Sequence, residues 1–283
     1  MNLELCFDAK AMLGEGPAWD EKAQTLYWVD ILKKRIYAGS QLLAELDEYI
    51  GCLAPCKNGN LILGKRASFT DFDLASSQQT VLASVNESAT NRMNDGKCDP
   101  AGRFLAGTMD MNEKDPTGSV YSFDGASIKT LFRDVTISNG MAWSPDYKTF
   151  YYIDTPACEV RAYDYDLKTG EIANRRKAFD VPNSLGWADG MTSDVQGNLW
   201  IAMWGGARVT RWNPNTGQLL EQFPVPALQP SCPVFGGKDL NELYVTSARK
   251  DMSEADLQKY PLSGALFKAV TKYEGMPTFE FGQ

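Results

Sequence analysis

The 283-residue sequence contains no histidine. That absence removes Ser-His-Asp triads, Cys-His pairs, histidine general bases and imidazole metal ligands. Any catalysis must run on carboxylates, amides, Lys, Arg, Tyr or Cys, or on a hard cation held by oxygens. No run approaches the roughly 18 apolar residues of a membrane span, so no membrane partner is expected. The opening stretch MNLELCFDAKAML carries Glu4 and Asp8 and no basic segment ahead of an apolar core. No signal peptide is expected, and the expected location is cytoplasmic. Linkers and low-complexity tracts are also missing, which predicts one domain over residues 1–283. The six cysteines are scattered, and the C-x3-C pair Cys52 and Cys56 has no second pair to complete a zinc site. They read as small buried hydrophobes. The net charge of −8 lies in no long block, which argues against a nucleic-acid surface.

What the chain does have is a repeat. Six phrases place a short apolar strand after a polar turn, starting at Leu26, Leu61, Phe104, Phe150, Leu199 and Leu243. The intervals are 35, 43, 46, 49 and 44 residues, about 43 on average, the period of a four-stranded propeller blade. Gly, Asn and Asp fill the preceding turns, as in KNGN (57–60) and DVQGN (194–198). Third and fourth strands follow in most repeats, rich in Val, Tyr, Phe and Trp. The sixth repeat has a weak fourth strand, and the chain begins with a spare one, LELCFD (3–8). The expected fold is all-β: a six-bladed β-propeller of four-stranded antiparallel blades, the last closed by the N-terminal strand. TFEF (278–281) competes for that place, and one helix is expected at Ser253 to Tyr260 with Ser253 as N-cap. Trp19, Trp28, Trp143, Trp200 and Trp212 read as inter-blade core, whereas Trp187 and Trp204 lie nearer the expected mouth.

In such a fold the first strand of each blade lines the axis. The residues ahead of its glycine are Glu15, Ile50, Asp95 (preceded by Asn94), Asn139 and Asp189, with Ser231-Cys232 in the blade lacking the glycine. Singly, each Asx-Gly pair is a turn former. As a set at blade period with Glu15 among them, they suggest carboxylates meeting around a hard divalent cation: Ca²⁺, Mg²⁺, Mn²⁺, Zn²⁺ or Fe²⁺. Arg92 approaches the same mouth and reads either as an anchor for substrate oxygens or as a solvated loop charge. The polar loop 110–118 could wall the site.

The segments LGEGPAWD, NDGKCDPAGR, ISNG, ADGM and FGGKDLNELYVTSAR, in this order, resemble the senescence marker protein/regucalcin/gluconolactonase family over essentially the full length. ARKDMSEADLQKYPLSGALF is most similar to its bacterial sugar-acid lactonases, of the xylonolactonase and arabinolactonase kind. The resemblance implies hydrolysis of sugar lactones with one divalent metal ion on the propeller axis. It implies Glu15, Asn139 and Asp189 as metal ligands, Asp189 also as catalytic acid/base, and Arg92 and Asn94 as substrate contacts. A substrate-contacting glutamate of the animal members falls at about Asn112, with Glu113 adjacent, so their substrate preference does not transfer. The implied partner is a small-molecule sugar lactone, acted on by a monomer or weak homodimer. Two rival readings use the same site: a broad esterase or phosphotriesterase-like hydrolase, and a calcium-binding regulator without catalysis.

Overall fold

A computed structural model describes residues 1–282 as six four-stranded antiparallel sheets arranged as the blades of a propeller. The inner strands are Gly14–Asp20, Ile50–Pro55, Asn91–Cys98, Ser138–Trp143, Trp187–Ser193 and Gln229–Gly236. Each is followed by its blade's second strand, beginning at or one residue before the start read from the repeat. The turns between them work through side-chain oxygens. Asp20, Asp99 and Asp194 each accept two backbone N–H bonds from the residues that follow, which fixes the hairpin and the register behind it.

Strand periodicity explains how the blades pack. In Leu199–Trp204, the side chains of Leu199, Ile201 and Met203 face blade four, while Trp200 between them faces blade six. Six apolar clusters result, one in each gap between neighbouring blades. The five tryptophans expected in the core are buried there. Cys52, Cys56, Cys98 and Cys232 are buried too, but Cys6 is exposed and Cys158 half-exposed. Cys6 lies on a strand at the rim and Cys158 ends a short 3-10 turn, places with no second sheet to cover them.

The ring closes as expected. Glu4–Phe7 pairs antiparallel with Leu266–Val270 and completes blade six. The competing segment at 278–281 instead crosses the far ends of the inner strands. The Phe281 N–H donates to the Pro55 carbonyl, Phe281 stacks on Phe123, and Phe279 meets Tyr147 edge to face. One α-helix among the described residues, Glu254–Lys259, is capped by the Ser253 side chain. No helix among the described residues is long and apolar enough to cross a membrane.

Removing residues 1–8 leaves Leu266–Val270 as a bare edge. The expected result is a lower thermal midpoint and concentration-dependent association, read by unfolding curves and light scattering. A monomer with an unchanged midpoint would mean that the strand does not seal the ring.

Candidate active site

At the mouth where the inner strands begin, residues from five blades line one cavity of about 410 Å³. Glu15, Arg92, Asn94, Asn139 and Asp189 all face it. The register makes this possible. In all six inner strands the pairing with the second strand slips at the head, between Glu15 and Ala18, Ile50 and Cys52, Met93 and Gly96, Ser138 and Met141, Ala188 and Met191, and Pro230 and Pro233. Such a bulge turns a side chain out of the regular alternation, here toward the axis.

Other head positions do different work. Ile50 is apolar and buried. The Ser231 hydroxyl donates to the Gly14 carbonyl at 2.5 Å and tethers blade six to blade one. Asp95 sits beneath the cavity, where Oδ1 accepts the Gly96 N–H while Oδ2, fully buried, has no hydrogen-bond partner.

A chain of hydrogen bonds runs across three blades and fixes the amides. Arg92 Nη1 donates to Asn94 Oδ1 at 2.6 Å. Asn94 Nδ2 donates to Asn139 Oδ1 at 3.1 Å and to the Ser138 carbonyl at 2.8 Å. Asn139 Nδ2 donates to Thr155 Oγ1 at 2.7 Å, and that hydroxyl donates to the Ala188 carbonyl, next to Asp189. With its N–H group committed to Thr155, Asn139 keeps its amide oxygen on the side of Asn94 and the cavity.

The electrostatics are strained. Glu15 and Asp189 are each 5% exposed and Asn139 is 4% exposed. Burial, then the Asp95 charge, push Glu15 up to about 8. Burial, then Glu15 and Asp95, push Asp189 well above the usual carboxylate range. Burial raises Asp95 as well, and it lowers the buried Arg92 guanidinium. Acids crowded like this are held apart from water at a free-energy cost unless protons or a cation neutralise them. No cluster of three His, Cys, Asp or Glu residues with metal-binding geometry occurs among the described residues. The donor set here is instead two carboxylates and an amide oxygen, with an orphaned Asp95 oxygen below. An all-oxygen set of this charge fits a hard divalent cation.

These charges predict an unusual pH dependence for protein stripped of divalent ions. The folded state keeps a proton on Glu15 that the unfolded chain gives up near 4.5. The folded state therefore binds more protons at this site, and the contribution of Glu15 to stability is full below 4.5 and is lost as pH rises through about 8. Thermal midpoints in chelator should fall across that window, and Glu15→Gln should flatten the slope. A midpoint that rises there would contradict the assignment.

Two mouth residues were not legible as site residues. Glu113, in the loop of blade three, forms a 2.7 Å ion pair with Lys250 of blade six, and both line the cavity. Blades three and six are opposite in the ring, so the pair spans the mouth. Asn112 is exposed, and its amide donates to Asp110 in its own loop. Glu113, with φ at 60°, is the residue of that loop that reaches inward. Lys250 lies 137 residues from its partner, a pairing no local pattern carries. Trp187 and Trp204 line the same cavity.

Fold and site together define a six-bladed propeller with an acidic, oxygen-lined cavity on its axis. The chain belongs to the SMP-30/gluconolactonase/LRE-like family, whose pattern matches residues 13–249. Regucalcin from Danio rerio is 37% identical over 99% of this chain and 98% of its own length. Two solved structures superpose closely. A luciferin-regenerating enzyme has a TM-score of 0.89 at 31% identity, covering 97% of this chain and 96% of its own. A calcium-binding protein, regucalcin, from Agrobacterium tumefaciens has a TM-score of 0.92 at 27% identity, covering 100% of this chain and 97% of its own.

Proposed function

We propose that the protein hydrolyses sugar-acid lactones to open-chain aldonic acids, as a carboxylic-ester hydrolase with one divalent cation held by Glu15, Asn139 and Asp189. The observation that carries this reading is the convergence of two buried carboxylates and an oriented amide oxygen on one axial cavity. Membership of a family that includes gluconolactonases supports the reaction class. A cation bound there would supply Lewis-acid polarisation of the lactone carbonyl. Asp189 accepts a proton from the attacking water as the water oxygen bonds to the carbonyl carbon, and returns it to the ring oxygen as the C–O bond breaks. Arg92 and Asn94, already joined to each other and to Asn139, hold the sugar oxygens so that the reacting atoms meet. The Trp187 and Trp204 rings form an apolar part of the cavity lining.

The same reading has the protein acting in the cytoplasm on a small molecule, as a monomer or weak homodimer. A cytoplasmic setting is supported by the absence of any disulfide among the described residues. A second reading, cation binding without turnover, is favoured by the calcium-binding relative.

A pH-indicator screen separates the two. Pentono- and hexonolactones are tested against stripped protein restored with Ca²⁺, Mg²⁺, Mn²⁺, Zn²⁺ or Fe²⁺, alongside aryl esters and organophosphates. Cation-dependent turnover of lactones is expected. Tight Ca²⁺ binding with no turnover would establish the second reading, and preference for aryl esters or organophosphates would move the substrate class.

A further inference from the structure

A second cavity, of about 590 Å³, lies on the flank of blade five and shares Trp187 and Trp204 with the axial one. The two tryptophans pair across the first two strands of that blade, and both border both spaces. Trp187 is 44% exposed. An indole left this open presents an apolar face that the chain itself does not cover. On the far side stand Asn183, Arg208, Gln222 and Tyr260. Arg208 donates Nη1 to Gln222 Oε1 and Nε to the Gly206 carbonyl, both at 2.7 Å, which fixes the guanidinium. A guanidinium has five N–H donors, so others remain for a ligand. Gly205 closes the rim with no neighbour within 4 Å of where a side chain would start, leaving the entrance open.

Aromatic faces fringed by amides and a fixed guanidinium match the two surfaces of a sugar ring, apolar C–H on its faces and hydroxyls at its edge. A single cation already bonded to a neutral amide is a poor match for an anionic ligand. Trp187 precedes Asp189 by two residues on one strand, a span of about 7 Å. A substituent on a lactone ring held at Asp189 thus reaches the residues that border the flank cavity. We infer that the flank cavity is a subsite for a second sugar unit, and that the substrate class includes aldonolactones carrying a glycosyl substituent, a reading that rests on lactone hydrolysis in the axial cavity. The reaction is the same ring opening by water, with the glycosidic bond intact.

The test compares gluconolactone with cellobionolactone on the full chain restored with a divalent cation. We expect kcat/KM about tenfold higher for the disaccharide lactone, the factor that one modest set of added contacts supplies. Arg208→Ala and Tyr260→Ala, both outside the axial cavity, should remove that advantage and leave gluconolactone turnover unchanged. Equal values for the two lactones, or variants that slow both alike, overturn the subsite. Calorimetric titration with cellobionate, the opened product, runs in parallel. The two substitutions should weaken its binding about tenfold. If neither lactone is hydrolysed, the lactonase reading fails while the titration still decides the subsite: absent binding, or binding indifferent to both substitutions, overturns it.

Discussion

Asp189→Asn should lower kcat/KM for lactone hydrolysis by about 10³-fold at saturating cation, the scale of a lost general acid/base. The same substitution should leave the cation-free protein at least as stable as the parent. Both effects have one cause. Burial first, and then the charges of Glu15 and Asp95, raise the pKa of Asp189. An amide of the same shape keeps the packing and removes one of the repelling charges, but it cannot take a proton from water. Initial rates across a cation titration, with thermal unfolding in chelator, measure the two effects separately. Near-normal turnover in the variant would sink the role given to Asp189. A large fall in stability would mean that the carboxylate is a structural partner, not a group held at a cost.

Gly140→Ala should be harmful on both counts. Each pore residue is followed by a glycine in five of the six blades, and the structure gives the reason at this position. A Cβ on Gly140 would lie 2.5 Å from the Met191 Cβ and 2.8 Å from the Asp189 carbonyl oxygen. The neighbouring inner strand would have to move, and it carries Asp189. Overpacking of this kind costs about 2 kcal/mol. A displacement of the order of 1 Å at a reacting group costs about 10²-fold in rate. Denaturant unfolding and lactone kinetics read the two losses, and cation affinity should weaken with them. A stable variant with full activity would show that the inner strands are not packed to contact at the axis.

The glycine repeat belongs to the part of this protein that its sequence states openly. Blade count, turn chemistry and the spare N-terminal strand follow from patterns a few residues long, because strand alternation and Asx-assisted turns are local effects. The same local rule put Glu15, Asn139 and Asp189 at equivalent heads, and the structure brings all three to one cavity. The outer cysteines were harder, since the composition of a strand does not reveal whether another layer covers it. Cys6 reads like Cys52, yet it lies on the outermost strand of its blade.

Loops resisted most. Asn112 and Glu113 are adjacent, and one positive-φ residue decides which side chain turns inward. The unpartnered oxygen of Asp95, the relay from Arg92 to Thr155, and the closure of the mouth by Glu113 and Lys250 join residues far apart in the chain. The place of the segment at 278–281 is of this kind too. Its strand-like composition suited either the open edge of blade six or the far mouth. Only the assembled ring, with Glu4–Phe7 already on that edge, left the far mouth as the surface it could cover. The repeating unit and the residue types at each axial head are legible in the sequence, because both are set within a blade. Which heads converge, which oxygens stay unpaired and which loops meet across the mouth were decided by the tertiary structure, because closing six blades into a ring brings together groups that no local period relates.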